Sequence, residues 1–218
     1  MPSMAALERW QAETPDLGFM VPDYHRLQLE HFIWTQSRKL EGGIILEVGA
    51  EFKRPYLVNQ RYLTLNCSDP SGPDWQNEVL RCVTKPDLFA DVTGLPFNDA
   101  SVDCLIATET MEHVTDPVAA VRECYRVLRP GGLALFTTPF LWPYHGSHGY
   151  ADYWRFTADG WRLLCRDFAS VRVFPTEFNE GSSIQAVRDE ERMGNPDEVR
   201  MATGYLVRAE KATSAMDQ

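Results

Sequence analysis

The sequence is poor in cysteine and has no pattern that would build a disulfide framework. Its 218 residues include 5 cysteines, an odd number, and none of them stands in a CxxC pair. This usage predicts reduced thiols packed as small apolar side chains, and it argues against a disulfide-rich secreted protein and against a zinc site. The first residues reach Glu8 and Arg9 before an apolar stretch can develop, so we expect no secretory signal. These features predict a cytoplasmic protein.

Positive charge and long apolar segments are also scarce. The 21 Lys and Arg residues stand against 31 Asp and Glu residues, which gives a formal net charge of −10. Such a chain has no bulk positive field for nucleic acid or for an anionic membrane, and we expect neither as a partner. The longest uncharged stretch, Gly131 to Ala151, is interrupted by Pro139 and Pro143. It cannot form a continuous membrane-spanning helix.

Strand and helix patterns alternate along most of the chain. Helical spacing of apolar residues predicts an N-terminal helix from Asp23 to Leu40 and further helices after Pro117 and Thr157. Short apolar runs predict strands at Ile44 to Gly49, Tyr62 to Leu65, Leu88 to Val92, Val102 to Ala107, Leu133 to Thr137, Val171 to Phe174 and Gly204 to Ala209. This alternation predicts an α/β fold, with a doubly wound, mostly parallel sheet covered by helices on both faces.

The length and the patterning predict a single domain with an N-terminal extension. We expect a helical extension over residues 1–42, a core over 43–174, an insertion or loop over 175–200, and a final strand and tail over 201–218. The polar stretch before Leu88 is long for a loop, so we expect a short helix near Glu78 to Cys82. In the helix after Pro117, the predicted apolar face consists of Val118, Val121, Tyr125 and Leu128.

Polar residues at the predicted strand ends are candidate site residues, because ligands of such sheets bind beyond the carboxyl ends of the strands. Glu47 and Gly49 end the first strand, where a missing Cβ lets backbone approach a ligand. They fit a capped tight turn equally well. Asp91 and Val92 end the third predicted strand and offer the acceptor and donor that an adenine edge requires, although Asp also serves often as a helix N-cap. A lone histidine such as His113 is more often structural than catalytic, and we favour that role for it.

Four segments together carry a resemblance to a known family. They are ILEVG, then DLFADVTGLPFNDASVDCLIATETMEHVTDP, then ECYRVLRPGGLALFTTPF, and finally DYWRFTADGWRLL. In this series the chain resembles the class I methyltransferases that use S-adenosylmethionine, over roughly Ile44 to Phe168. The resemblance implies a Rossmann-like sheet of seven strands with an antiparallel strand near the C-terminus, and S-adenosylmethionine as cofactor.

The resemblance also implies which strand-end residues bind the cofactor. Glu47 and Gly49 match the first motif, beside the methionine half, and Asp91 and Val92 match the pair that reads the adenine. The positions that align with the family's cofactor-binding residues are Glu47, Gly49, Ala50, Asn66, Asp91, Val92, Thr108 and Glu109.

The chain departs from the family pattern in two places. The family's first loop continues as GxGxG, whereas this chain places Ala50 and Glu51 after Gly49. Their side chains would crowd a backbone that should approach the ligand closely. Asn66 stands where the family usually has an acid on the ribose hydroxyls, and its amide lacks the charge that strengthens this contact.

The aromatic loop from Pro139 to Arg155 is the predicted acceptor pocket, since it combines apolar walls with a few polar groups. We take His145, His148 and Asp152 as candidate catalytic residues, with imidazole as a general base near neutral pH. Their spacing would also suit a metal, but we expect none. Alternatively, Asp152 pairs with Arg155 and only fixes the loop.

The leading hypothesis is methyl transfer from S-adenosylmethionine to an oxygen or nitrogen of a small-molecule or glycan-like acceptor. The alternative is a methyltransferase-like binding or partner protein that has lost cofactor affinity, which the missing glycines and Asn66 would explain. A nicotinamide dehydrogenase is disfavoured because the first strand lacks a GxGxxG turn. The sequence leaves the acceptor and the oligomeric state open.

Overall fold

The computed structural model describes residues 4–13, 24–38, 40, 42–50, 53–57, 61–67, 86–146, 151–176 and 202–214. Its helices are α1 (Met4–Glu13), α2 (Tyr24–Ser37), α3 (Pro117–Val127) and α4 (Ala158–Leu164). Its strands are β1 (Ile44–Val48), β2 (Arg61–Asn66), β3 (Leu88–Phe89), β4 (Val102–Thr108), β5 (Leu128–Pro139), β6 (Ser170–Thr176) and β7 (Gly204–Glu210). Short 3-10 helices cover Pro55–Leu57 and Met111–His113.

These described strands form one seven-stranded sheet in the order β3-β2-β1-β4-β5-β7-β6. The pairs β1–β2, β1–β4, β2–β3 and β4–β5 are parallel, and β7 is antiparallel to both of its neighbours. The prediction of a mostly parallel, doubly wound sheet with an antiparallel strand near the C-terminus is therefore confirmed. The strand order reverses between β1 and β4, which places the expected ligand crevice beyond Val48 and Thr108.

Alternate residues of the central strands enter two separate cores, one on each face of the sheet. Leu46 of β1 and Leu105 of β4 pack into the core that also holds Trp161 of α4. Their neighbours Ile45 and Ile106 pack on the other face, in a core with Leu29 and Ile33 of α2. Since successive side chains of a strand point to opposite faces, these near-continuous apolar runs require helices on both sides.

The structure corrects one helix face. The buried residues of α3 are Pro117, Ala120, Val121, Cys124 and Val127. Val118 is 42% exposed, so the predicted face is rotated by about one residue. The helix begins where expected, with the Asp116 side chain accepting from the Ala119 amide and proline in the first turn.

The predicted helix after Thr157 is α4, and the Thr157 side chain caps it by accepting from the Gly160 amide. Strand β5 begins at Leu128, before the ArgProGlyGly segment, and is longer than predicted. The predicted helix near Glu78 to Cys82 lies outside the described residues, and so does nearly all of the segment 175–200. The domain boundaries stay a prediction.

Four cysteines lie in the described part of the chain, and none of these four forms a disulfide. Three of them are buried, as expected for small apolar packers. None of the described helices is long and apolar enough to cross a membrane.

Candidate functional site

Gly49 begins the crevice at the end of β1, and both its conformation and its surroundings require glycine. Its φ is +71°, in the left-handed region, and a Cβ on it would overlap the side chain of Thr110. The hydroxyl of Thr110 donates to the carbonyl of Thr108 at 2.9 Å. The Gly49 amide donates to the Leu65 carbonyl at 2.8 Å. Gly49 thereby lets the chain segments after β1 and β4 approach each other.

Glu47, the acid of the first motif, is buried and engaged by the protein itself. Its carboxylate accepts from the guanidinium of Arg54 and from the hydroxyl of Tyr62. Arg54 also donates to Glu30 at 3.0 and 3.1 Å, and Tyr56 donates to Glu30 at 2.7 Å. Burial alone would lower the pKa of Arg54, but the two carboxylates outweigh it and hold that pKa well above its ordinary value. The Glu47 side chain thus anchors the segment that follows Gly49.

Ala50 and Asn66 meet beside the crevice. Ala50 is buried, and its carbonyl accepts from the Asn66 amide group at 3.4 Å. The amide oxygen of Asn66 accepts from the Cys67 backbone at 2.8 Å. Each end of the Asn66 side chain keeps one further hydrogen-bonding position, a second amide N–H or a second oxygen lone pair, for a ribose hydroxyl. Glu51 lies outside the described residues.

Asp91 and Val92 follow the short strand β3, next to the end of β2. The amide of Ala90 donates to the Asn66 carbonyl at 3.1 Å, which brings Asp91 level with the end of β2. Asp91 is exposed, and its Oδ1 accepts from the amide and hydroxyl of Thr93 at 2.8 and 2.7 Å. Its Oδ2 makes no hydrogen bond within the described part of the chain, so it is available to a ligand.

Thr108 and Glu109 end β4 in the middle of the crevice. The Thr108 hydroxyl accepts from Arg54 at 3.1 Å. Glu109 has a φ of +47°, which is rare for a residue with a side chain and marks a strained position. Its carboxylate accepts from the Thr137 hydroxyl at 2.9 Å and lies 3.6 Å from Nε2 of His25. His25 belongs to α2 and has no signal in the sequence that would place it here.

The aromatic loop is held by an ion pair, as one of the two readings predicted. Asp152 is nearly buried, and Arg155 donates to both of its oxygens, one of them at 2.8 Å. These bonds hold the pKa of Asp152 well below its usual range. Asp152 also accepts from the His145 backbone amide at 3.0 Å and lies 3.1 Å from His145 Nδ1. His148 lies outside the described residues.

Glu112 is the main residue that the sequence reasoning missed. It lies in the 3-10 helix after β4, is fully buried, and neither of its carboxylate oxygens has a hydrogen-bond partner among the described residues. Burial, followed by the nearby carboxylates of Glu109 and Asp152, raises its pKa to about 9. The Nε2 atoms of His113 and His145 each lie 3.7 Å from its Oε1. The only sequence signal for this cluster was the Glu112-His113 pair of the motif. Its role depends on His145, which lies 32 positions after His113 in the chain.

Comparison with known proteins points to one enzyme class. The family model described as Methyltransferase domain matches residues 56–136. A malonyl-[acyl-carrier protein] O-methyltransferase from Coxiella burnetii is 36% identical over 67 residues, which is 31% of this chain and 24% of that protein. An uncharacterized methyltransferase from Mycobacterium marinum is 38% identical over 106 residues, which is 47% of this chain and 40% of that protein. The chain therefore spans less than half the length of these two relatives.

A solved structure extends the likeness to the whole fold. A SAM-dependent methyltransferase from Thermotoga maritima superposes with a TM-score of 0.53 at 18% identity. The match covers 96% of this chain and 100% of that one. At this identity the match shows a shared fold.

Proposed function

We propose that the chain is a class I S-adenosylmethionine-dependent methyltransferase, and that it transfers the methyl group to an oxygen or nitrogen of a small-molecule or glycan-like acceptor, because residues 56–136 match the methyltransferase-domain model. The family membership implies S-adenosylmethionine as the cofactor. Its sulfonium supplies a methyl carbon that is already activated for displacement. The protein then mainly has to align donor and acceptor and exclude water.

The crevice residues fit this cofactor at its two ends. The glycine conformation at Gly49 leaves backbone close to the crevice, which suits the methionine half. Asp91 offers an exposed carboxylate oxygen and Val92 a backbone amide, the pair that an adenine edge needs. Asn66 and Ala50 fit less well, because they contact each other. We propose that the ribose is held by a neutral hydrogen bond from Asn66 rather than by a carboxylate.

One observation carries the proposal: the aromatic loop is hydrogen-bonded to the turn that follows β4. The backbone amides of Tyr153 and Trp154 donate to the Glu112 carbonyl at 2.8 and 3.2 Å. The Trp154 indole donates to the Val114 carbonyl at 2.8 Å. An acceptor bound by this loop would therefore lie beside the end of β4, where the resemblance puts the sulfonium.

On the acceptor side, we propose roles for the three catalytic candidates. Asp152 acts as a positioning residue, since its carboxylate faces His145 Nδ1 and favours the tautomer with the proton on that nitrogen. Nε2 of His145 then faces the site as a proton acceptor for a hydroxyl or an amine. His148 stays a candidate from the sequence. Exposed aromatic rings at Trp142 and Tyr144 supply a stacking surface for a planar or sugar-like acceptor.

Calorimetric titration of the full chain with S-adenosylmethionine tests the cofactor site. We expect binding, and we expect Asp91→Ala to weaken it by about 1 to 3 kcal/mol, or roughly 5- to 150-fold in Kd, because a charge-assisted hydrogen bond to the adenine is lost. Asp159→Ala is the matched control, since Asp159 is a carboxylate on α4 whose side chain is 91% exposed.

An Asp91→Ala Kd equal to that of the control would remove Asp91 from the site. If no heat and no thermal shift appear at millimolar S-adenosylmethionine, the proposed activity fails and the alternative of a binding protein without cofactor affinity is favoured. A cytoplasmic location also stays a proposal, supported by the lack of a disulfide among the four described cysteines.

A further inference from the structure

Three side chains from two separate segments of the chain converge next to the end of β4. Glu112 and His113 come from the turn after β4, and His145 comes from the loop after β5. Their ligand atoms, a carboxylate oxygen and two imidazole nitrogens, all lie within 4.8 Å of one another. Two imidazoles and one carboxylate are a donor set that binds divalent transition metals.

Glu112 supplies the strongest indication that a ligand belongs here. A buried carboxyl group without a hydrogen bond is costly, and native proteins rarely keep one without a reason. Neither Glu112 oxygen finds a partner within the described residues, although Oε1 faces both histidines. A cation bound at Oε1 would supply the missing interaction.

Both histidines are oriented as metal-binding histidines are. Nδ1 of His113 lies 2.7 Å from the Ala151 carbonyl, an acceptor that requires the proton on Nδ1. Nδ1 of His145 lies 3.1 Å from the Asp152 carboxylate, which favours the same tautomer. In each ring Nε2 is then the nitrogen with the lone pair, and Nε2 is the atom that faces Glu112. Metal-binding histidines usually donate their other ring N–H to such a carbonyl or carboxylate.

From this geometry we propose that Glu112, His113 and His145 form a binding site for one divalent first-row transition-metal ion, with Zn²⁺ as the representative. Ligands about 2.0 to 2.1 Å from a tetrahedral Zn²⁺ are roughly 3.3 Å apart. The two distances of 3.7 Å therefore need to close by a few tenths of an ångström, and the separation of the two imidazole nitrogens, which is within 4.8 Å, by up to about 1.5 Å. Mg²⁺ and Ca²⁺ fit poorly because they prefer oxygen ligands.

The proposed site has the composition of a catalytic rather than a structural metal centre. Three protein ligands leave at least one position of a tetrahedral ion open. The side chain of His145 is 30% exposed, so the site can be reached from solvent. If the proposed methyl transfer is correct, the open position would take the acceptor's oxygen and lower the pKa of its hydroxyl. His145 would then act through the metal instead of as a free base.

Calorimetric titration of chelator-treated full chain with Zn²⁺ tests the site without cofactor or acceptor. We expect one Zn²⁺ per chain, and at least 10- to 100-fold weaker binding in Glu112→Gln and in His145→Ala, because losing a direct ligand should cost no less than losing an outer-shell partner. His31→Gln is the control, since His31 lies on α2 with its ring against Trp10. Co²⁺ in place of Zn²⁺ provides a visible spectrum that reports nitrogen ligation.

The site is supported if one Zn²⁺ binds per chain, if Glu112→Gln and His145→Ala both weaken this binding, and if the control His31→Gln retains it. No binding at millimolar Zn²⁺, unchanged binding in either variant, or equal loss in the control overturns it. Should buried Glu112→Gln fail to fold, as judged by its melting curve, His145→Ala on the partly exposed loop decides alone. Zn²⁺ binding and S-adenosylmethionine binding are measured separately, so failure of one is distinguishable from failure of the other.

Discussion

Two residues at the crevice, Gly49 and Glu109, hold the left-handed backbone conformation that the crevice demands. Gly49 adopts it at no steric cost, whereas Glu109 does so against the preference of its side chain. Glu109 is held there by its backbone amide, which donates to the Thr137 carbonyl at 3.0 Å, and by its carboxylate, which bonds the hydroxyl of the same threonine. Such strain is typical of functional positions that the surrounding structure over-determines.

Replacing Gly49 by alanine should destabilise the fold by about 2 to 4 kcal/mol, from the left-handed penalty plus overpacking against Thr110. Urea denaturation measures the change. Gly94→Ala is the control, because nothing lies within 4 Å of a Cβ there and its φ is not positive. Thr110→Ala in the Gly49→Ala background should recover part of the loss, and strict additivity of the two changes would contradict the steric cause.

At the scale of elements, helix α3 fixes the segment that follows Asp91. Glu123 accepts from the Leu95 amide at 2.9 Å and from Arg126 at 2.8 Å. Arg126 donates in turn to the carbonyls of Leu95 and Phe97 at 3.0 and 2.8 Å. Helix α3 therefore holds the backbone of the LeuProPhe segment in place. Because this segment follows Asp91, the contact also stabilises the proposed adenine site.

The contribution of Glu123 should depend on pH. Its hydrogen bonds from Arg126, only partly opposed by burial, lower its pKa in the folded state. The stabilisation is therefore fully present above the ordinary glutamate pKa of about 4.3 and is lost as the pH falls through the lower folded value. Glu123→Gln should cost about 1 kcal/mol of unfolding free energy at pH 7.

Denaturation of wild type and Glu123→Gln at pH 7 and at the lowest pH where both stay folded checks this expectation. The difference between the two proteins should shrink in acid. A difference that stays constant with pH would mean that packing, and not the charge, explains the effect. Asp159→Asn serves as the exposed control and should differ little from wild type at either pH.

At the scale of the whole molecule, one buried guanidinium joins segments that are distant in sequence. Arg54, 1% exposed, contacts Glu30 of α2, Glu47 of β1 and Thr108 of β4. Two buried acids around one base are stable only while the guanidinium is present. The network couples the N-terminal helix to the two central strands that flank the crevice.

Arg54→Met should therefore cost about 3 to 5 kcal/mol of unfolding free energy, because it leaves two carboxylates buried and unpaired. Arg54→Lys should be intermediate, since an ammonium restores the charge but not the planar fork. Chemical denaturation measures both variants against Arg162→Met, whose side chain is 50% exposed and pairs with an exposed acid. A loss in Arg54→Met no larger than in Arg162→Met would show that the network contributes nothing to stability.

The sequence by itself determined the fold class, the order of the strands along the chain and the motif positions at the strand ends, whereas β3 ends earlier and β5 begins earlier than predicted. These features follow from local periodicity, caps and turns, for example Asp116 and Thr157 at the helix starts. The face of α3 was predicted about one residue off, because the small residues Ala120 and Cys124 are buried and the more apolar Val118 is exposed. Burial there depends on which neighbours the helix meets.

Only the tertiary structure decided what surrounds Glu47, Glu112 and His145. Arg54 lies 7 positions after Glu47 in the chain, and His145 lies 33 positions after Glu112. The hydrogen bonds and the pKa of a buried ionisable group depend on the residues that pack against it in the folded chain, and a local sequence pattern does not contain those contacts. The sequence predicted a loop position for His145 and a structural role for His113. Only the folded chain brings both imidazoles to the carboxyl group of Glu112, which has no hydrogen-bond partner among the described residues.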